Sequence, residues 1–339
     1  MSKRATIAEV AELASVHKAT VARALNPDTA HRVSAETAKR IQCAAEQLGY
    51  IPNIVARGLR KSLSMTIGVV VRDLENPIFP PIVRGIESHL SARGYTALIA
   101  NTDCCDVLER AAFDSLLQRR VDGFVMATGL ADHPLLAQAF ERGIRVVVVN
   151  PGIDAVPCPL VTGADADGMA AAVEHLLGLG HRHVLHMAGP DIFTTSQVRS
   201  AAFTAALGRR RGVTSRVVPA QGESVAAGRA TMDMVLASGQ PCPTAIVAGN
   251  DRLAIGILHS LRAHGLDCPR DVSVIGFDDM PFAEDIQPPL TTVRVPHREL
   301  GVEAARVLLR AIQGGEQEPR VVLPVSLIVR GSTAPPVAR

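Results

Sequence analysis

The sequence predicts a two-lobed α/β protein with a small helical head, and three observations predict it. From Met65 onward, short apolar runs alternate with amphipathic stretches of helical period, in two successive series. Before Met65 the apolar residues recur at three- and four-residue intervals without strand-like runs. Charge divides at the same place: residues 1–63 hold ten Lys or Arg against five Asp or Glu, and the rest of the chain holds 25 against 28. The head is therefore +5 and the body −3, although the whole chain is only +2, and all four lysines (Lys3, Lys18, Lys39, Lys61) lie in the head. A chain of 339 residues suffices for two or three domains.

In the head, Ile7, Val10, Ala11 and Ala14 form one helical pattern, and after Ser15 and Val16 a second runs Ala19, Val21, Ala22, Leu25. Two short helices joined by a tight turn make a helix-turn-helix, whose second helix would show His17, Lys18, Thr20 and Arg23 on its outer face. The stretch alone equally fits an ordinary helical hairpin. A polar turn over Pro27–Arg32 leads to a third helix capped by Ser34 and ended by Gly49. The core expected for this bundle is Ile7, Val10, Leu13, Val21, Leu25, Ile41 and Leu48, which is small enough to be only marginally stable.

In the body, the first series has strands expected at 65–71, 95–100, 123–128 and 145–150, and the second at 160–163, 183–188, 215–220, 244–249 and 271–277. Helices between them imply parallel sheets with right-handed crossovers. A strand at 290–295, a helix from Pro296 to Gln313 and two short strands near VVLP and VSLIVR complete both lobes.

The motifs TVARALN, VS, LGYIPN and VARGL together resemble the N-terminal region of the LacI/GalR family of bacterial transcription regulators. The body resembles that family's periplasmic-binding-protein-like (type I) fold, so the resemblance spans essentially the whole chain. It implies a DNA-binding head over 1–51, a hinge helix over 52–62 and an effector-binding and dimerisation domain over 63–339. One lobe is expected at 63–162 with 291–322, the other at 163–290 with 323–339. It also implies a homodimer or a tetramer on a near-palindromic double-stranded operator. The implied DNA contacts are His17, Lys18, Ala19, Thr20, Arg23, Asn26 and Arg32, with Asn53, Ala56 and the wedge Leu59 from the hinge. A hinge of two turns is unstable alone and fits a plain linker too. The family usually has glycine where this chain has Ser15, and serine where it has His17 and Ala22. Ser15 must then accept an unfavourable backbone or shift the turn, and His17 is a poorer cap that can donate to phosphate when protonated.

Ligands of open α/β sheets bind beyond the C-terminal strand ends. RDLENPIFPPI after the first strand places Asn76 and Phe79 there, and GPDIFTTSQVRSAAF places Phe193 and Arg199 there. An aromatic face suits a sugar or base ring, although a core phenylalanine reads the same way. By resemblance Arg199, Asn250 and Asp278 face the effector, while Asp251 caps the following helix. A donor fork, an amide and a carboxylate suit a polyhydroxy or heterocyclic ligand, such as a sugar, sugar acid or nucleoside.

Other classes fit less well. There is no nucleophile–base pair and no Gly-rich phosphate loop after any strand, so neither catalysis nor a cofactor is expected. In HRHVLH strand alternation puts His183 and His186 on opposite faces, and the six cysteines lack metal spacing, so no metal is expected. An exported solute-binding protein would share both lobes but would need a secretory signal, which the basic N-terminus does not resemble. With no apolar run long enough to cross a bilayer, the expectation is a cytoplasmic, nucleoid-associated protein without a membrane partner.

Overall fold

The computed structural model describes residues 5–26, 29–50, 63–130, 133–150, 158–208, 210–316 and 318–337. Two compact units divide the chain, Met1–Ser64 and Met65–Arg339. The expected hinge, with Asn53, Ala56 and Leu59, lies outside the described residues.

Among the described residues the head has three helices, α1 (Ile7–Leu13), α2 (Lys18–Ala24) and α3 (Ala35–Gln47), with a 3-10 turn at Ala30–Arg32. A capping box starts α1: Thr6 accepts from the Glu9 backbone N–H while the Glu9 side chain accepts from the Thr6 N–H. Ser34 starts α3 by accepting from Thr37 N–H. Helices α1 and α3 end alike. Val16 N–H reaches Ala11 O and Ser15 N–H reaches Glu12 O, just as Tyr50 N–H reaches Ala45 O and Gly49 N–H reaches Glu46 O. This double bond requires a left-handed residue, supplied by Gly49 at φ 59° in one case and by Ser15 at φ 52° in the other. Ser15 thus accepts the unfavourable backbone instead of shifting the turn.

The head core is Val10, Ala11, Ala14, Val21, Ile41, Ala44 and Ala45, with Ile7, Leu25 and Tyr50 against it. Leu13 and Leu48, expected inside, are 47% and 36% exposed. The alanines at the seam let the helices approach closely, and Leu13 and Leu48, at the last turn or cap of their helices, fall on its flanks.

Among its described residues the body holds two six-stranded sheets. The strands are β1 (Thr66–Val71), β2 (Thr96–Asn101), β3 (Gly123–Ala127), β4 (Val146–Val149), β5 (Leu160–Gly163), β6 (His183–Ala188), β7 (Thr214–Pro219), β8 (Ala245–Ala248), β9 (Ser273–Asp278), β10 (Thr291–Arg294), β11 (Arg320–Leu323) and β12 (Ser326–Ile328). Their orders are β11-β5-β4-β3-β1-β2 and β12-β10-β9-β8-β6-β7, parallel throughout except for the β10–β12 pair. The helices are α4 (Phe79–Ser91), α5 (Asp106–Gln118), α6 (Pro134–Glu141), α7 (Asp165–Gly178), α8 (Thr194–Leu207), α9 (Val225–Ala237), α10 (Asp251–Ala263) and α11 (His297–Ile312). Central strands such as β3, β4 and β8 are buried along their whole length, which is why they read as continuous apolar runs.

The expected lobe boundary at residue 291 needs correction. Strand β10 pairs in parallel with β9, so Thr291–Arg294 belongs to the second sheet. Its hydroxyls explain the placement: Thr292 donates to Asp251 at 2.6 Å, and Thr291 N–H donates to Ser332 at 2.8 Å. The chain crosses between lobes at 163–165, 294–297 and 323–326, and α11 then packs on α4 in the first lobe.

Each lobe is locked by a helix pair in backbone contact. A Cβ on Gly85 of α4 would lie 2.0 Å from Arg298 O, and one on Gly301 of α11 would lie 2.0 Å from Ile82 O. In the second lobe, a Cβ on Gly228 of α9 or Gly256 of α10 would meet Leu253 O or Val225 O at 2.4 and 2.2 Å.

Gly301→Ala should therefore cost roughly 2–4 kcal/mol, because a carbonyl cannot move aside without parting two helices. Chemical denaturation of the variant checks this, and a cost below about 0.5 kcal/mol would mean the helices are not so close. In the head, Ser15→Gly should slow amide exchange at Val16, since it relieves roughly 0.5–1 kcal/mol of left-handed strain. Unchanged or faster exchange there would contradict the strained turn.

Candidate functional site

Two surfaces collect the residues expected to be functional. On the head, Val21 is buried and faces the bundle, which turns His17, Lys18, Ala19 and Arg23 outward to exposed positions, with Thr20 half-buried. Arg32, on the 3-10 turn, is exposed, and Asn26 is half-buried. His17 caps α2: its Nδ1 accepts from Ala19 N–H at 3.2 Å. Capping uses the Nδ1 lone pair, so the neutral ring carries its proton on Nε2.

The second surface lies at the C-terminal strand ends of the body, where both lobes reverse strand order, at β1/β3 and at β6/β8. Its centre is Arg199, on α8, which is 4% exposed. Nε donates to Asp165 Oδ2 at 2.8 Å, Nη1 to Gly249 O at 2.6 Å and Nη2 to Asp278 Oδ1 at 3.3 Å. The guanidinium stands 3.7 Å from the centre of the Phe277 ring. Asp278 ends β9 with φ 111°, an uncommon backbone for a non-glycine residue, and it aims its carboxylate at Arg199. His297, at the first turn of α11, places Nε2 4.0 Å from the same Asp278 oxygen.

Burial governs the titration of this group. Burial pushes the Asp278 carboxyl up to about 7 despite Arg199, and Asp165 and Glu223 add to the rise. Burial, aided by Arg199, pushes His297 down to about 3, and in the same way holds nearby His186 at about 4 against its bond to Val247 O.

Across the cleft, Arg72 follows β1 directly. Its Nη2 pairs with Glu223 Oε2 of the other lobe at 2.5 Å, and its guanidinium lies 3.9 Å from the centre of the Phe193 ring and 5.6 Å from that of Phe79. A second cross-lobe pair joins Asp73 to Arg252 at 3.2 Å. Beside them, Leu130 bridges to Phe193, and Thr194 N–H donates to Gly129 O at 3.1 Å.

The structure thus brings Arg199 to Asp278, and Phe79 with Phe193 to Arg72, but it redirects several expectations. Phe79 and Phe193 are 1% and 7% exposed, so their faces are filled by protein and not open to a ligand ring. Asn76 is buried, and its Oδ1 accepts from Ile78 N–H at 3.4 Å, shaping the turn into α4. The cap of the helix after β8 is Asn250 and not Asp251. Asn250 caps α10, its Oδ1 accepting from Leu253 N–H at 2.7 Å, while its Nδ2 donates to Glu223 O at 3.4 Å. Asp251 accepts instead from Thr292 and from Met280 N–H at 2.8 Å, tying β10 and the β9 turn to α10. An amide at the N-cap is as good an acceptor as a carboxylate, and the buried Asp251 has two donors waiting on neighbouring strands. Of the histidines of HRHVLH, His181 bonds Thr244, Ser273 and Ala334 O, and His186 bonds Val247 O through Nδ1.

Arg72, Asp165 and Glu223 were missed by sequence reasoning. Each lies within four residues of a C-terminal strand end, of β1, β5 and β7, so position alone could have found them.

Comparison with known proteins matches residues 6–53 to bacterial regulatory proteins of the lacI family and residues 173–333 to a periplasmic binding protein-like domain. The HTH-type transcriptional regulator reg1 of Streptomyces lividans is 35% identical over 342 residues, covering 97% of this chain and 96% of that one. Among solved structures, the lac repressor dimer bound to operator and the anti-inducer ONPF matches with TM-score 0.87 at 30% identity, covering 98% of this chain and all of that one. The transcriptional regulator CelR in complex with cellobiose matches with TM-score 0.73 at 30% identity, covering 97% and 100%.

The raised Asp278 carboxyl has a signed consequence. A carboxyl held near 7 in the fold, against about 4 when unfolded, stabilises fully below the lower value and loses that contribution as pH rises through the higher. His297 and His186 act oppositely, losing stability as pH falls below the ordinary imidazole range. The difference in melting temperature between the native protein and Asp278→Asn isolates the carboxyl. It should fall steadily between about pH 4 and 7. A flat difference would show that the carboxyl is not raised.

Proposed function

Since the chain belongs to the lacI family of bacterial regulatory proteins, and is therefore a DNA-binding transcription regulator tuned by a small metabolite, we infer that it acts as a homodimeric repressor through the two surfaces just described. The observation that carries this is the exposed row His17, Lys18, Ala19 and Arg23 on a helix whose Val21 is locked in the head core. A rigid helix with basic residues outward fits the major groove, where Arg23 and Lys18 donate to bases or phosphates and Thr20 to either. Asn26 and Arg32 flank the helix and suit backbone phosphates. Asn53, Ala56 and Leu59 supply the minor-groove hinge by resemblance to the family.

A palindromic site needs two heads, since one alone binds too weakly. Exposed Ile99 of edge strand β2 and exposed Val107 and Leu108 of α5, which packs on β2, suit the face of a second copy. A regulator of this kind works on cytoplasmic DNA at the nucleoid, with no cofactor required. No helix among the described residues is long and apolar enough to cross a membrane.

The effector sits at the strand ends between the lobes, with Arg199, Asp278 and Asn250 on one wall. Bound there, it alters the cross-lobe contacts and the lobe tilt, and so the spacing of the two heads. Phe79 and Phe193 pack against Arg72 across the cleft and Asn76 shapes the turn into α4, so these three act by supporting the site rather than by touching the ligand.

Arg23→Ala should abolish specific operator binding while leaving dimerisation and metabolite binding intact. A bidentate base contact carries roughly 1–3 kcal/mol, so two copies per dimer lose on the order of a hundredfold or more. A gel shift on operator fragments selected with the native protein, beside an ultracentrifuge run, checks both halves. Undiminished specific binding would sink the assignment.

A further inference from the structure

We propose that Arg72 is an oxyanion receptor in the cleft, selecting as effector an acidic sugar derivative over a neutral sugar or a nucleoside. The proposal rests on the cleft being the effector site. Its first support is what Arg72 covers. The guanidinium lies over Phe193 at 3.9 Å, and Phe79 and Phe193 are nearly inaccessible, so the platforms on which a base would stack are taken up within the protein.

Its second support is what Arg72 leaves open. Nη2 is held by Glu223, but Nη1 is buried and has no hydrogen-bond partner, on a side chain 9% exposed. A buried charged N–H without an acceptor is a standing cost that an incoming oxygen removes. The planar fork of arginine fits the paired oxygens of a carboxylate or a phosphate better than a single hydroxyl. Arg199 is less suited to this part, because three of its five N–H groups already donate, to Asp165, Gly249 and Asp278, and two of these partners are carboxyl groups that answer its charge. Arg199 and Asp278 are left to orient hydroxyls, and Arg72 takes the charge.

Position adds a consequence. Arg72 belongs to the first lobe and Glu223 to the second, so an oxyanion on Arg72 enters the pair that joins them. Recognition of charge and movement of the lobes then share one guanidinium.

Isothermal titration of the full chain with gluconate, glucuronate, glucose phosphate and glucose tests this. At least one acidic probe should bind about tenfold or more tighter than glucose, as a charge-assisted bond demands. The carboxylate and phosphate arms show which oxyanion is preferred. Arg72→Gln should erase the preference, and Arg72→Lys, a point charge without the fork, should restore only part of it. Equal binding of glucose, failure of every acidic probe at millimolar concentration, or an unchanged preference in Arg72→Gln would each overturn the proposal. Arg199→Leu separates the two readings: if it abolishes binding of every probe, the cleft stands whatever Arg72 does, and if binding survives, the cleft is not the effector site. Melting curves for each variant confirm that it is folded.

Discussion

A single buried guanidinium organises the body of this protein. Arg199 is almost inaccessible, and its charge is tolerated only because Asp165, Asp278 and the Gly249 carbonyl surround it. Those partners come from the first crossover between lobes and from the ends of β8 and β9. The same ion pair that settles a charge therefore brings together the strand ends that form the cleft wall. Such a pair gives little net stability over an apolar substitute, but removing one partner costs about 3–5 kcal/mol because a charge is stranded. Its value lies in specification: few other arrangements of these loops would leave Arg199 satisfied.

Contacts within a lobe and contacts between lobes differ in kind. Inside each lobe, helices α4/α11 and α9/α10 meet backbone to backbone at glycines, an arrangement with no slack. Between lobes, among the described residues, stand two ion pairs, a short bridge with the Thr194–Gly129 hydrogen bond beside it, and three crossings of the chain. Asp73 and Arg252 are about a quarter exposed, and such a pair is worth at most roughly 1 kcal/mol. Two stiff bodies with a modest joint can be shifted by a modest difference in ligand affinity.

How much of this was legible in the sequence follows from whether the signal is local. Strands such as β4, VVVV, announce themselves because both faces are buried and every residue must be apolar. Arg199 and Asp278 were visible because position after a strand and family resemblance agreed. Arg72 and Glu223 were not, because their meaning lies in a pair separated by 151 residues, across two sheets. That Asn250 and not Asp251 caps α10 escaped for a related reason. Either residue can cap a helix, and the choice is made by Thr292, which sits 41 residues further on. The same distance effect misplaced β10: an edge-like run reads identically in either lobe until its hydroxyl partners are known.

The helices of the head, by contrast, are legible because their determinants are local (caps, a helical period and tight ends), while its core is only partly so, since alanines at the seam take the places expected for Leu13 and Leu48. That locality limits what it can do alone. Its core is seven small or medium side chains, four of them alanines, and its first helix ends on a strained serine. The body can reach such a module covalently only through residues 51–62, or by fixing where a second copy stands. A metabolite that loosens the joint between the lobes therefore need not alter the recognition helix at all. In the homodimer we infer, it would be enough to change how two weak heads are presented together, since the affinity of such a pair falls steeply once both cannot reach their half-sites at once.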